Sequence, residues 1–193
     1  MHARKYIRMI LVKAAAILAL IGFLPCDYQA RAADGPTITE YHLKALFLFN
    51  FIKYVDWPAE SFSTTSSPIV IGVLGRDNFQ DDLPRVIEGK TVKGRTIIIR
   101  HITSDDEIAG CHILFISSSE NLRSGETLRK TATMPVLTVG EQEQFLQKGG
   151  IINFTLKEGK VRLEISLDAA RLAKLQVSSK LLSVADIVRG KPN

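Results

Sequence analysis

Ile69-Val70-Ile71-Gly72-Val73-Leu74, entered through Pro68 and left through Gly75, is a continuous apolar run. A strand with one wet face alternates apolar and polar residues. A run without alternation marks a strand covered on both faces, as in a parallel sheet packed between helices. Two more such runs follow, His112-Ile113-Leu114-Phe115-Ile116 and Pro135-Val136-Leu137-Thr138-Val139. Before them, residues 95–102 carry β-branched Thr96, Ile97, Ile98 and Ile99 and read as another strand. Helices are predicted between the strands over residues 79–87, 121–131 and 141–147, the last ended by Gly149-Gly150. Upstream, Thr37 and Glu40 have capping-box spacing and open a helix to about Val55, stopped by Trp57-Pro58. Downstream, residues 151–156 and 160–167 read as a hairpin around Lys157-Glu158-Gly159, and residues 172–175 and 180–188 as short helices. Strand and helix in alternation predict an α/β fold of the Rossmann-like kind. Its sheet is mostly parallel with helices on both faces, and the C-terminal β-hairpin supplies an antiparallel edge.

The start of the chain has a different character. Arg4, Lys5, Arg8 and Lys13 precede an apolar run from Ala14 to Leu24, and Ala30-Arg31-Ala32 places small residues where a signal peptidase reads them. The run has 11 residues, against roughly 20 for a permanent membrane span. Residues 1–32 are therefore expected to be a cleavable export signal, cut between Ala32 and Ala33, with residues 33–193 forming one domain in the periplasm. Pro25 before Cys26 argues against lipidation of that cysteine. The signal segment holds four of the five net positive charges, so the mature chain is close to neutral. It has no Lys/Arg cluster to follow a phosphate backbone, and nucleic acid is not an expected partner. Cys111 is alone in the mature chain and reads as a small apolar residue at the start of a buried strand.

No chemistry-bearing motif emerges. Gly72-Val73-Leu74-Gly75-Arg76-Asp77 is not a dinucleotide fingerprint, and no phosphate-binding P-loop occurs. Gly75 reads as a turn residue and Asp77 as a helix cap. His42, His101 and His112 lack a second ligand at metal spacing, and Cys111 and His112 point to opposite faces of a strand. No catalytic residue, metal or cofactor is assigned. A small molecule, if one binds, is expected in the crevice at the strand ends near Gly75, Arg76 and Ser117-Ser118-Ser119.

Projected at about 100° per residue, the first helix places Leu43, Phe47, Phe51, Tyr54 and Val55 on a core face. Leu46 and Phe49 fall among the polar residues of the opposite side, with His42, Asn50, Lys53 and Asp56. Leu46, Phe49, Asn50 and Lys53 are thus the candidate protein interface, with a homodimer through Leu46 and Phe49 as its simplest form.

The stretch Tyr41-His42-Leu43-Lys44-Ala45-Leu46-Phe47-Leu48-Phe49-Asn50-Phe51, continuing through Lys53-Tyr54-Val55-Asp56-Trp57-Pro58, resembles the opening signature of the YfiR-like family of exported bacterial proteins. Ile71-Gly72-Val73-Leu74-Gly75, Gly89-Lys90-Thr91-Val92, Cys111 to Ile116, Pro135 to Gly140, Gly149 to Phe154 and Ser178-Ser179-Lys180-Leu181-Leu182 follow in family order. The resemblance implies a periplasmic α/β domain, often dimeric, that binds the periplasmic region of an inner-membrane diguanylate cyclase and represses it. It further implies an outer-membrane lipoprotein that relieves repression by sequestering the repressor. The namesake branch carries intramolecular disulfides, which one mature cysteine cannot form.

Overall fold

The computed structural model describes residues 39–76 and 78–188. The signal segment with its Ala32–Ala33 cut, Cys26, Thr37 and Asp77 lie outside them. Helix α1 (Glu40–Tyr54) is capped by Thr39, whose hydroxyl accepts from the His42 N–H. After it come β1 (Val55–Asp56), β2 (Ile69–Leu74), α2 (Asp82–Ile87), β3 (Thr91–Val92), β4 (Arg95–Ile102) and β5 (Ile113–Ile116). The second half contains α3 (Ser124–Thr131), β6 (Leu137–Gly140), β7 (Ile152–Lys157), β8 (Lys160–Ser166), α4 (Leu167–Leu172), β9 (Gln176–Val177), α5 (Ser179–Leu182) and β10 (Asp186–Val188).

Among the described residues eight strands make one sheet, in the order β10-β8-β7-β6-β5-β2-β4-β3. Its centre, β4-β2-β5-β6-β7, is parallel, as the unbroken apolar runs predict. Ile71 sits beside Ile99 and Ile113, and Ile113 beside Leu137, so large aliphatic side chains align in rows across the sheet. On one face, α1, α2, α4 and α5 cover a core containing Leu48, Phe51, Ile52, Ile71, Phe115 and Phe154. On the other, a smaller core of Val70, Leu74, Leu114, Leu128, Val136 and Phe145 lies under α3. β1 and β9 pair separately and fasten the end of α1 to the C-terminal segment. Among the described residues no helix is long and apolar enough to cross a membrane.

Four expectations require correction. The short helix expected over residues 172–175 lies earlier: α4 ends at Leu172, and residues 173–174 are turn. Residues 141–147 form turns rather than a helix. The span 180–188 is not one helix: α5 ends at Leu182, and β10 then pairs parallel to β8. The β7–β8 hairpin exists, but β10 rather than the hairpin forms that edge of the sheet.

Candidate functional site

In open parallel sheets, ligands collect beyond the carboxyl ends of the strands, where the strand order reverses. Here that point lies between β2 and β5, since β4 follows β2 in the chain on one side and β5 lies on the other. At that point the loops after β2 and β5 touch each other. Gly75 has φ +89°, and a Cβ there would stand 2.6 Å from both Ser119 Oγ and Glu120 Cγ. The Arg76 N–H donates to Ser119 Oγ at 2.9 Å. The Ser118 N–H donates to Glu141 Oε1 at 3.1 Å, so a donor that could have met an anionic ligand already holds a carboxylate. The loops that carry Gly75, Arg76 and Ser117–Ser119 are thus bonded to each other and to Glu141, while Arg76, Ser118 and Ser119 remain exposed.

Glu141, directly after β6, is the centre of a buried network. It is 5% exposed and pairs at 2.7 Å with Lys44, 4% exposed, on α1. Tyr41 donates from its hydroxyl to the same carboxylate at 3.2 Å and accepts from Asn78 Nδ2 at 2.9 Å. Lys44 also pairs with Glu40. Burial alone would lower the Lys44 pKa, but the hydrogen bonds to Glu141 and Glu40 outweigh it and leave the ammonium above its ordinary value. Burial, with the Glu141 charge beside it, raises the Tyr41 phenol. Both groups keep their protons and all their partners are internal. Such a cluster fixes α1 to the sheet.

The projection of α1 misplaces its core face. Lys44, Ala45, Leu48, Phe49, Phe51 and Ile52 are buried. Leu43, Phe47 and Tyr54 lie at the margin, so the buried stripe is rotated by roughly a quarter turn from the expected one. Ala45, Leu48, Phe49 and Ile52, spaced i, i+3, i+4 and i+7, are the apolar stripe that turns inward. Phe49 is 8% exposed and belongs to the core, and Leu46 is half-buried against it. Leu46 and Phe49 do not form the open apolar patch that the homodimer expectation requires. Asn50 and Lys53 stay near the surface, with Lys53 Nζ 3.5 Å from Asn50 Oδ1. Lys53 Nζ lies 4.1 Å from the Phe49 ring centre, and Lys90 Nζ, from the turn after α2, lies 4.7 Å from the same ring.

A second cluster seals the serine-rich loop onto the sheet. Trp57 Nε1 donates to the His112 carbonyl at 3.0 Å, and the Phe62 ring stacks on the His112 ring at 4.5 Å. Arg95 lies over Phe62 and donates to the carbonyls of Thr64 and Ser67. The buried His112 accepts the Val70 N–H on Nδ1 at 3.1 Å, which places the ring proton on Nε2. Burial pushes its pKa below the ordinary histidine value of 6.5, and Arg95 acts in the same direction. As pH falls, the unfolded chain takes up the proton first, so stability declines below about 6.5 until the folded group itself titrates. The expected loss is at most about 1.4 kcal/mol per pH unit in that window. His112→Asn keeps an acceptor for Val70 but does not titrate. Thermal unfolding from pH 7 to pH 5 should show a smaller decline in that variant than in the wild type.

Cys111 is free and buried, and burial raises its thiol pKa. Among the described residues no three His, Cys, Asp or Glu side chains gather in a metal-binding arrangement. An open groove of about 640 Å³ lies between α2 and β4, lined by Arg85, Glu88, Lys90, Ile97 and Ile99.

Comparison with known proteins places this geometry. A crystal structure of a conserved domain protein from Vibrio cholerae O1 biovar El Tor superposes with a TM-score of 0.50 at 12% identity. The match covers 76% of this chain and 60% of that one, and at that identity it shows a shared fold only. No curated protein sequence matches. The family model described as YfiR/HmsC-like matches residues 41–186, from Tyr41 of the buried network to Asp186 at the edge strand. The chain therefore belongs to the YfiR/HmsC-like family.

Proposed function

We propose that this chain is a non-catalytic periplasmic regulator that binds the periplasmic region of an inner-membrane signalling protein and represses a diguanylate cyclase. Membership of the YfiR/HmsC-like family is the observation that carries this reading and supports a regulatory role. The Gly75–Ser119 loop contact and the Lys44–Glu141 pair agree with it, because these polar groups are engaged within the fold. In this reading residues 1–32 direct export and are removed after Ala32. The mature protein works as a homodimer, and an outer-membrane lipoprotein relieves repression by sequestering it.

A repressor of this kind needs only to bind the partner's inactive state more tightly than its active one. A difference of about 2.7 kcal/mol changes the ratio of the two states a hundredfold. Deleting the gene should raise cyclic di-GMP and surface attachment, and periplasmic expression should restore both. Expression without residues 1–32 should restore neither. Unchanged cyclic di-GMP in the deletion strain, under conditions where the gene is expressed, counts against the cyclase as the partner.

A further inference from the structure

β6 stops at Gly140, while its neighbour β7 runs on to Lys157. The two pair only through Ile152 and Asn153 of β7. Where β6 ends, a cavity of about 380 Å³ opens between the following loop, the start of α1 and β7. Small-molecule sites measure roughly 300–1,000 Å³. The carboxyl end of the parallel strands is also where such sheets take ligands. Four carboxylates line this cavity, Glu40, Glu141, Glu143 and Glu164, against one ammonium, Lys44. Lys44 is shared by Glu40 and Glu141. Glu164 has Lys157 at 3.5 Å, but Lys157 also pairs with Asp186 at 3.0 Å. Glu143 is exposed and has no cation within ion-pair distance among the described residues. The cavity is short of positive charge.

It is short of hydrogen-bond donors as well. Gln142 lines it, is 5% exposed, and is pinned to Asn153 by two bonds through its main chain. Its Nε2 donates to the Ser117 carbonyl at 2.8 Å, which fixes the amide and leaves the oxygen as its free end. That Oε1 accepts no hydrogen bond within the protein. Thr155 Oγ1, on the β7 side, is likewise buried without a partner. Buried polar atoms are ordinarily paired, and two orphans around one cavity call for a donor from outside the fold. Among the described residues no three carboxylates converge as metal ligands would, so the negative charge is spread around the cavity. A spread of this kind suits an extended cation better than a point-like metal ion, which needs ligands gathered at one centre. Leu146, Phe154 and Leu156 give the same cavity apolar surface for methylene groups.

We propose that this cavity binds a primary alkylammonium group, of a small free amine or of a lysine side chain, whose N–H donors meet Gln142, Thr155 and the surrounding carboxylates. The site goes beyond the repressor reading and does not depend on it.

Calorimetric titration of the mature protein with putrescine should give saturable binding that weakens as salt is raised. Butanediol, of the same length but uncharged, should bind at least tenfold more weakly. Nα-acetyl-lysine amide distinguishes the sources: binding tighter than that of putrescine assigns the group to a lysine side chain, and weaker binding to a free amine. Glu143→Gln with Glu164→Gln should weaken putrescine tenfold or more while leaving the circular dichroism spectrum unchanged. Thr155→Val removes an unpartnered hydroxyl at nearly constant volume, so it should weaken putrescine about threefold without lowering the unfolding temperature. Amide resonances that shift on binding should fall within residues 141–147 and 153–156. Absence of saturable binding, equal binding of butanediol, or indifference to the substitutions would overturn the proposal, as would shifts confined to other residues. Magnesium chloride that displaces putrescine beyond the effect of sodium chloride at equal ionic strength would overturn it too, assigning the carboxylates to a metal ion. No cyclase takes part in these measurements, so their failure leaves the repressor reading standing.

Discussion

Lys44→Met is expected to destabilise the protein by about 3–5 kcal/mol, the usual result of removing one partner from a buried ion pair. The loss comes from what remains. Glu141 would keep the Tyr41 hydroxyl and the Ser118 N–H, but its charge would be buried without a cation. Removing the charge on the other side is milder, because Lys44 would still have Glu40, which is partly exposed. Glu141→Gln should therefore cost less than Lys44→Met. The double variant should be more stable than Lys44→Met alone, since the second change removes the stranded carboxylate. Urea unfolding of the four proteins gives the coupling energy directly. Additive losses would mean that the pair is hydrated in solution and does not fix α1 to the sheet.

That pair also marks the boundary of what could be read from sequence. The parallel core was legible because Ile69–Leu74 and the runs at β5 and β6 have no polar alternation, and β2 and β4 appear at the predicted residues. Two-residue strands such as β1, β3 and β9 have no period to detect, and they form only because distant segments meet. β10 was hidden differently. Residues 180–188 contain no Gly or Pro, so nothing local separates a helix from a helix followed by a strand, and pairing with β8 decides it. The buried network was invisible for a related reason. Lys44 and Glu141 are far apart in the chain, and each taken alone reads as a surface charge. Phe49 is buried with Ala45, Leu48 and Ile52, which share its side of the helix and lie outside the expected core face. The candidate interface of Leu46, Phe49, Asn50 and Lys53 thus loses its apolar half, while Lys53 gains Lys90 as an unforeseen neighbour.

Gly150→Ala should be strongly destabilising, since among the described glycines an added Cβ comes nearest to another atom there. Gly149-Gly150 reads from sequence as a helix stop, but the two glycines have separate tasks. Gly149 adopts φ +101° with open space around it, so a side chain there would be strained by conformation alone. Gly150 has no such backbone need. A Cβ at Gly150 would stand 2.2 Å from one edge of the Phe145 ring, and a Cβ at Gly140 would stand 2.4 Å from the other. Phe145 is fully buried in the core under α3, so its ring is held between two backbones and cannot tilt away from one without striking the other. Overpacking of this kind costs typically about 1–3 kcal/mol, and the absence of a free direction puts Gly150→Ala at the upper end of that range or above it. Phe145→Leu removes the ring and opens a cavity, with its own cost of the same order. If the clash is the cause, adding Gly150→Ala to Phe145→Leu should cost much less than adding it to the wild type. Gly149→Ala should cost the same in both backgrounds, because its strain lies in the backbone. Equal penalties for Gly150→Ala with and without the Phe145 ring would show that the glycine serves the turn rather than the core.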